Sequence, residues 1–213
     1  MNKHSAKIIW VSIFAVAMAY VESAVVVYLR IIFHPEGFEF PLKKIINDPN
    51  IVVEVYREAA TVVMLTAVAV IAGKKFWERF GYFIIAFGVW DIFYYVWLKV
   101  ILDWPASIFD WDVLFLIPVT WIGPVIAPVS VSIIMIVCGI LLVYASSKGI
   151  EFKPVLISYV LLLVGTGVLL YSFMYDTNAT INMGMPKPYR YDFLITADSL
   201  FIASFLVSYL KKV

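Results

Sequence analysis

Long apolar runs alternate with short clusters of charged residues along the whole chain, a pattern typical of a protein that crosses a membrane several times. A helix that spans the hydrocarbon core needs about 20 mostly apolar residues. Runs of about this length or longer occur at Ile8–Phe33, Ile51–Ala72, Phe80–Leu102, Val113–Ala145, Pro154–Tyr175 and Phe193–Leu210. The pattern therefore predicts an all-α integral membrane protein with six transmembrane helices, forming a single helical-bundle domain over residues 1–213.

The fourth run is too long for one plain helix, and it contains Pro118, Pro124 and Pro128. Each proline removes a backbone hydrogen-bond donor and disfavours helix at the preceding residue. We therefore predict that this segment is broken near Gly123-Pro124 and that its helix begins near Pro128.

Composition supports the membrane prediction and excludes several classes of protein. Apolar residues make up 63% of the chain and charged residues only 15%, which excludes an ordinary soluble domain. The near balance of 16 basic and 15 acidic residues gives no reason to expect a nucleic-acid partner. Cys138 is the single cysteine, so an internal disulfide and a thiolate metal cage are excluded. Membrane lipid is the expected partner, and the sequence leaves open a homo-oligomer or a place in a larger membrane complex.

The basic residues predict an orientation in the membrane. One set of helix ends holds only two acids, Glu78 and Glu151, together with Lys3, Lys7, Lys74, Lys75, Arg79, Lys148, Lys153, Lys211 and Lys212. The rest of the chain holds 7 basic and 13 acidic residues. Because short cytoplasmic loops retain positive charge, we predict a plasma-membrane protein with both termini in the cytoplasm and an acidic outer half.

Five acids interrupt the predicted helices: Glu22, Glu54, Glu58, Asp91 and Asp198. A charge near a helix centre costs about 2.5–3.5 kcal/mol, so each of these residues needs a partner. Counted from the outer end of its own helix at 1.5 Å per residue, each acid lies roughly 6–17 Å below the outer boundary. Four helices are therefore predicted to place acids in one layer.

A divalent cation would neutralise such a layer, and oxygen ligands without thiolates suit Mg, Mn, Ca or Fe. We therefore predict that these five acids are the ligands of a divalent metal ion. Arg57 lies on the same helix as Glu54 and Glu58 and can pair with either, and a purely structural ion pair is an equally open interpretation. Glu22 has no base near it in the sequence. The acids of the outer loop that includes Asp110 and Asp112 are predicted to be solvated.

No motif assigns a reaction to the chain. His-Glu-x-x-His, Gly-x-Ser-x-Gly and a glycine-rich phosphate loop do not occur. Our main hypothesis is metal-dependent chemistry on a lipophilic or exported substrate that enters from the outer side. The alternatives are a proton- or cation-coupled transporter, in which the acids form a relay, and a structural subunit of a membrane complex.

Several segments resemble those of a group of uncharacterised prokaryotic multi-pass membrane proteins. The segments are Tyr20-Val-Glu22-Ser, His34-Pro-Glu-Gly-Phe, Arg57-Glu58-Ala-Ala-Thr-Val-Val-Met, Val89-Trp-Asp91-Ile-Phe-Tyr-Tyr and Trp121-Ile-Gly-Pro. The resemblance covers roughly residues 20–130 and implies an all-helical membrane fold. It implies no reaction and no functional residue.

Overall fold

A computed structural model describes residues 3–33, 51–116, 119–181 and 184–210 of the chain. Within these ranges the elements are α1 (Lys3–Phe33), α2 (Ile51–Ala72), α3 (Phe76–Leu102), β1 (Trp111–Phe115), β2 (Trp121–Pro124), α4 (Ile126–Ser147), α5 (Leu156–Met174), α6 (Thr177–Ile181) and α7 (Tyr191–Tyr209). Every helix except the short α6 is long and apolar enough to cross a membrane. The prediction of a six-span, all-α, multi-pass membrane protein is confirmed. His34 and its segment lie outside the described residues, as do Pro118, Lys211 and Lys212.

The fourth predicted run begins as a β-hairpin and continues as a helix. β1 and β2 pair antiparallel, with Trp111 opposite Pro124 and Val113 opposite Ile122. The predicted break near Gly123-Pro124 is confirmed, because α4 starts only at Ile126, just after β2. Pro128 lies in the first turn of α4, where its missing N–H is not needed, so the helix begins slightly earlier than predicted.

α3 is the central helix of the first four, and it packs against α1, α2 and α4. Glycines bring α3 and α4 close together, since a Cβ atom placed on Gly139 would lie 2.7 Å from the carbonyl oxygen of Gly81. A Cβ atom on Gly88 would lie 2.6 Å from the carbonyl oxygen of Ser132. Small residues at such contacts let the backbones of membrane helices approach. The α3–α4 spacing is therefore set by these glycines.

α5 and α7 form a second unit, a helix pair that meets the rest of the bundle through α4 and β2. Three serines link this pair. The hydroxyl groups of Ser158 and Ser208 lie 2.6 Å apart, and the Ser204 hydroxyl donates a hydrogen bond to the carbonyl oxygen of Ser158 at 2.7 Å. All three serines are buried, so α5 and α7 are joined by hydroxyl groups without any buried charge.

Candidate functional site

Arg57 joins α1 to α2 near one end of the bundle. Its Nε donates to Glu54 Oε1 at 2.8 Å, and its Nη1 contacts the carboxylate of Glu22 on α1. Thr61, one turn further along α2, donates its hydroxyl to the other oxygen of Glu22 at 3.0 Å. Glu22 has no base near it in the sequence, and its base comes from the neighbouring helix. Arg57 bonds directly to Glu54, which resolves the choice of partner that the sequence left open.

Glu58 is buried and attaches α2 to the end of the hairpin. Its Oε2 accepts a hydrogen bond from the backbone N–H of Leu116, just after β1, at 3.0 Å. Arg57 acts on Glu58 only as a nearby positive charge. The hairpin therefore closes over this end of the bundle and supplies a backbone donor to a buried carboxylate.

Asp112 was expected in a solvated loop, and this expectation is wrong. Strand β1 turns its side chain inward, where only 2% of the residue is exposed. Arg30 of α1 approaches it with Nη2 3.3 Å from Oδ1, and the guanidinium group lies 3.8 Å from the centre of the Trp104 ring. Burial raises the pKa of the Asp112 carboxyl to about 6, and the charge of Arg30 opposes that rise in pKa.

Asp110, two residues earlier, has a different environment. Its Oδ2 accepts the backbone N–H groups of Ala106 and Ser107, at 2.7 and 3.0 Å, in an exposed turn. Successive side chains of a strand point to opposite faces, so Asp110 and Asp112 are close in sequence but differ in burial. The solvated interpretation therefore holds for Asp110.

Two adjacent tyrosines of α3 connect the charged groups. Tyr95 lies beside both Asp91 and Asp112 and interacts electrostatically with each, and Asp112 also acts on Asp91. Tyr94 is within electrostatic reach of both arginines, Arg30 and Arg57. The groups described so far thus form one continuous polar region across α1, α2, α3 and the hairpin.

α4 lies between the two remaining acids. Ser132 donates to Asp91 Oδ2 at 2.9 Å, whereas Ser130, whose hydroxyl donates to the carbonyl oxygen of Ala127 at 3.0 Å, lies near Asp198 on α7. Two residues along an α-helix correspond to a rotation of roughly 200°, so Ser130 and Ser132 point to opposite sides of α4. Asp198 is therefore separated from Asp91 by α4.

The five acids predicted as metal ligands, Glu22, Glu54, Glu58, Asp91 and Asp198, do not converge on one point. Glu22 and Glu54 meet around Arg57, Glu58 bonds to the hairpin, and Asp91 and Asp198 lie on opposite sides of α4. In the part of the chain that the structure describes, no group of three or more His, Cys, Asp or Glu side chains is arranged to hold a metal ion. A single site built from all five acids is not present in these ranges.

Sequence reasoning missed residues that complete the polar region: Arg30, Thr61, Tyr94, Tyr95, Asp112 and Ser132. We call these residues, together with Arg57 and the five predicted acids, the acidic network. A hydroxyl in an otherwise apolar helix, as at Thr61 or Ser132, is a signal that could have been followed. The inward position of Asp112 depends on hairpin pairing, which the apolar run did not suggest.

No protein-family model, curated protein or solved structure matches this chain. The resemblance to uncharacterised prokaryotic membrane proteins therefore stays a prediction, and the site is interpreted from its geometry alone.

Proposed function

We propose that this multi-pass membrane protein binds a divalent cation in the acidic network, with Asp91 and Asp112 as the principal ligands. The observation that carries the proposal is an imbalance of charge. Within the described ranges the network contains two arginines, Arg30 and Arg57, against six carboxylates, Glu22, Glu54, Glu58, Asp91, Asp112 and Asp198. Uncompensated carboxylates in a bilayer are costly, and a bound cation lowers that cost.

Asp91 and Asp112 are favoured by their position among the acids of the network. Arg57 bonds to both Glu22 and Glu54, a backbone N–H serves Glu58, and α4 separates Asp198 from the other acids. Asp91 and Asp112 interact with each other, and Tyr95 lies beside both and bonds to Asp112. These two neighbouring carboxylates thus offer oxygen ligands to a cation.

A site with two carboxylates suits a hard cation that keeps part of its water shell. Mg²⁺ is commonly held by one or two carboxylates plus waters, and Mn²⁺ and Ca²⁺ accept the same oxygen ligands. Among the candidate ions Mg, Mn, Ca and Fe, oxygen donors without nitrogen or sulfur favour the first three. The open positions would let the ion polarise a group of a lipophilic or exported substrate, in the manner of a Lewis acid.

Elemental analysis of the purified protein tests this proposal. We expect about one metal ion per wild-type chain, a sharp loss in Asp91→Asn and Asp112→Asn, and no loss in the matched control Asp110→Asn. Glu22→Gln and Glu58→Gln distinguish a site with five ligands from a site with two. A five-ligand site should lose metal in both variants, whereas a two-ligand site should keep most of its metal. A wild-type protein without metal, or equal occupancy in all variants, would overturn the proposal.

A second candidate function is a structural subunit of a membrane complex. The observation that favours it is that four of the five predicted acids already have a protein partner, namely Glu22, Glu54, Glu58 and Asp91. Buried ion pairs of this kind hold helices together without any chemistry. Wild-type protein free of metal, together with strong destabilisation by Arg57→Leu, would favour this candidate. The described network gives no observation that favours transport, because it occupies one half of the bundle.

We further propose that this is a plasma-membrane protein and that both of its termini face the cytoplasm. The support is the positive charge around Lys74–Arg79 and Lys148–Lys153. In a Cys138→Ser background, a membrane-impermeant maleimide applied to intact cells should leave Lys148→Cys unlabelled and should label Lys187→Cys. Labelling of Lys148→Cys without labelling of Lys187→Cys would show that the protein has the opposite orientation.

A further inference from the structure

A groove of about 260 Å³ separates the two units of the bundle. The α3–α4 unit forms one wall and the α5–α7 pair forms the other. Its side chains are almost all apolar or aromatic, and they include Trp77, Ile84, Cys138, Leu162 and Phe205. The groove opens at the end of the bundle away from the acidic network and extends along α4 as far as Val131, and none of its lining residues belongs to that network.

The serine and threonine hydroxyl groups in the groove already have partners. Ser158 and Ser208 bond to each other, Ser204 bonds to the carbonyl oxygen of Ser158, and Thr166 bonds to the carbonyl oxygen of Leu162 in its own helix. These four hydroxyl groups therefore do not require a polar ligand. The apolar side chains that line the groove favour the binding of a hydrocarbon chain.

The mouth of the groove is positively charged. Lys153 lies between Phe152 and Pro154, which both line the groove, and Lys75 lies two residues before the lining residue Trp77. The two lysines flank Glu151, with Nζ to carboxylate distances of 3.9 Å for Lys75 and 3.0 Å for Lys153. Both lysines are about 70% exposed, and one carboxylate between two ammonium groups leaves a positive charge.

The length of the groove matches one leaflet of a bilayer. On α4 the lining runs from Val131 to Leu142, eleven residues or roughly 16 Å at 1.5 Å per residue. One leaflet contributes about half of a hydrocarbon core that is about 30 Å thick. An acyl chain that enters at the lysines would therefore fill the groove along its length.

We propose that the groove binds one anionic glycerophospholipid, with an acyl chain between the two units and the phosphate beside the exposed ammonium groups of Lys75 and Lys153. Apolar walls hold the chain, and the two lysines select the negative headgroup. Each basic residue near an anionic lipid surface strengthens binding on the order of five-fold. The lipid would complete the packing between α4 and the α5–α7 pair.

Native mass spectrometry of the full-length protein tests the proposal. Delipidated protein in a neutral detergent is titrated with palmitoyl-oleoyl phosphatidylglycerol or with the matching phosphatidylcholine. We expect one retained phosphatidylglycerol at concentrations where phosphatidylcholine is not retained. Lys75→Gln/Lys153→Gln should reduce the preference on the order of 25-fold. Lys99→Gln/Lys187→Gln, which changes two lysines remote from the groove, should leave the preference unchanged.

Filling the groove gives a second test. Cys138→Trp should abolish retention of phosphatidylglycerol, whereas Val137→Trp, at the neighbouring exposed position, should not. In the unmodified protein, the reaction rate of N-ethylmaleimide with Cys138, the single cysteine, reports the groove without any substitution. Phosphatidylglycerol should slow this reaction several-fold. Equal retention of both lipids, a preference that survives the double lysine change, unchanged Cys138 reactivity, or a dimer without bound lipid would each overturn the proposal.

Discussion

The contacts that hold helices together differ in chemistry between the two units of the bundle. In the first unit, α1 is joined to α2 and to the hairpin through buried ions, with Arg57 bound to Glu22 and Arg30 bound to Asp112. α5 and α7 meet through the hydroxyl groups of Ser158, Ser204 and Ser208. Both arrangements satisfy polar groups in a membrane, but only the first requires charges to be buried.

This difference supports the proposal that the acidic network binds a cation. Small residues and hydroxyl groups are sufficient to join membrane helices at low cost. Buried charges are expensive, and they are typical of sites that bind ions or substrates. The serine contacts show what packing alone requires, and the acidic network exceeds that requirement.

The largest effect should come from removing the base that holds α1 to α2. Arg57→Leu leaves Glu22 and Glu54 without a cation, which should lower the free energy of unfolding by about 3–5 kcal/mol. Thermal or denaturant unfolding of purified protein in detergent measures this loss. Arg190→Leu is the matched control, because Arg190 pairs with Asp192 and contacts the Phe193 ring at the surface, where ion pairs contribute little to stability.

A rescue variant sharpens this prediction. Glu22→Gln added to Arg57→Leu removes one of the two stranded carboxylates and should restore part of the lost free energy. Equal stability of Arg57→Leu and Arg190→Leu would mean that the buried pair does not hold the first unit together.

Close helix packing gives an intermediate effect. Gly88→Ala places a methyl group 2.6 Å from the Ser132 carbonyl oxygen, so it should separate α3 from α4 and cost about 1–3 kcal/mol. Gly167→Ala on α5 is the matched control, because its new Cβ meets no atom within 4 Å. The control should be neutral or slightly stabilising. Equal unfolding midpoints for the two alanine variants would contradict the proposed role of the glycine contact.

The serine contacts should give the smallest effect. Ser208→Ala removes the hydroxyl that bonds to Ser158 and accepts the backbone N–H of Val155 at 3.2 Å, and it should cost about 0.6 kcal/mol. Ser199→Ala, at an exposed position bonded only within its own helix, should have no measurable effect. A loss from Ser208→Ala as large as that from Arg57→Leu would remove the distinction between the two units.

Most of the fold could be predicted from the sequence, because spanning helices are specified by local composition and length. The boundaries of α2 agree with the predicted Ile51–Ala72, and the break before α4 follows from the prolines. The hairpin was missed because its strands are short and apolar and lie in a run that continues into α4. The inward position of its Asp112 depends on contact with Arg30, which is far away in the sequence.

The candidate site was predicted only in outline. Glu22 and Asp91 can be identified directly from the sequence, because a charged residue inside an apolar run is costly wherever its helix lies in the bundle. Which partner each acid meets depends on helix rotation and neighbour identity, which one sequence does not specify. That is why the contact of Arg57 with Glu22 and the burial of Asp112 became apparent only in the structure.

Cation binding to the network is tested most directly by the melting temperature of metal-depleted protein during titration with Mn²⁺ or Mg²⁺. A ligand that binds only the folded state at a hundred times its Kd stabilises it by about 2.7 kcal/mol, on the order of 5–10 °C for a chain of this size. We expect a saturable rise of this order in the melting temperature of the wild type and of Asp110→Asn, and no rise for Asp91→Asn or Asp112→Asn. No shift in the wild type, or the same shift in all four proteins, would contradict it.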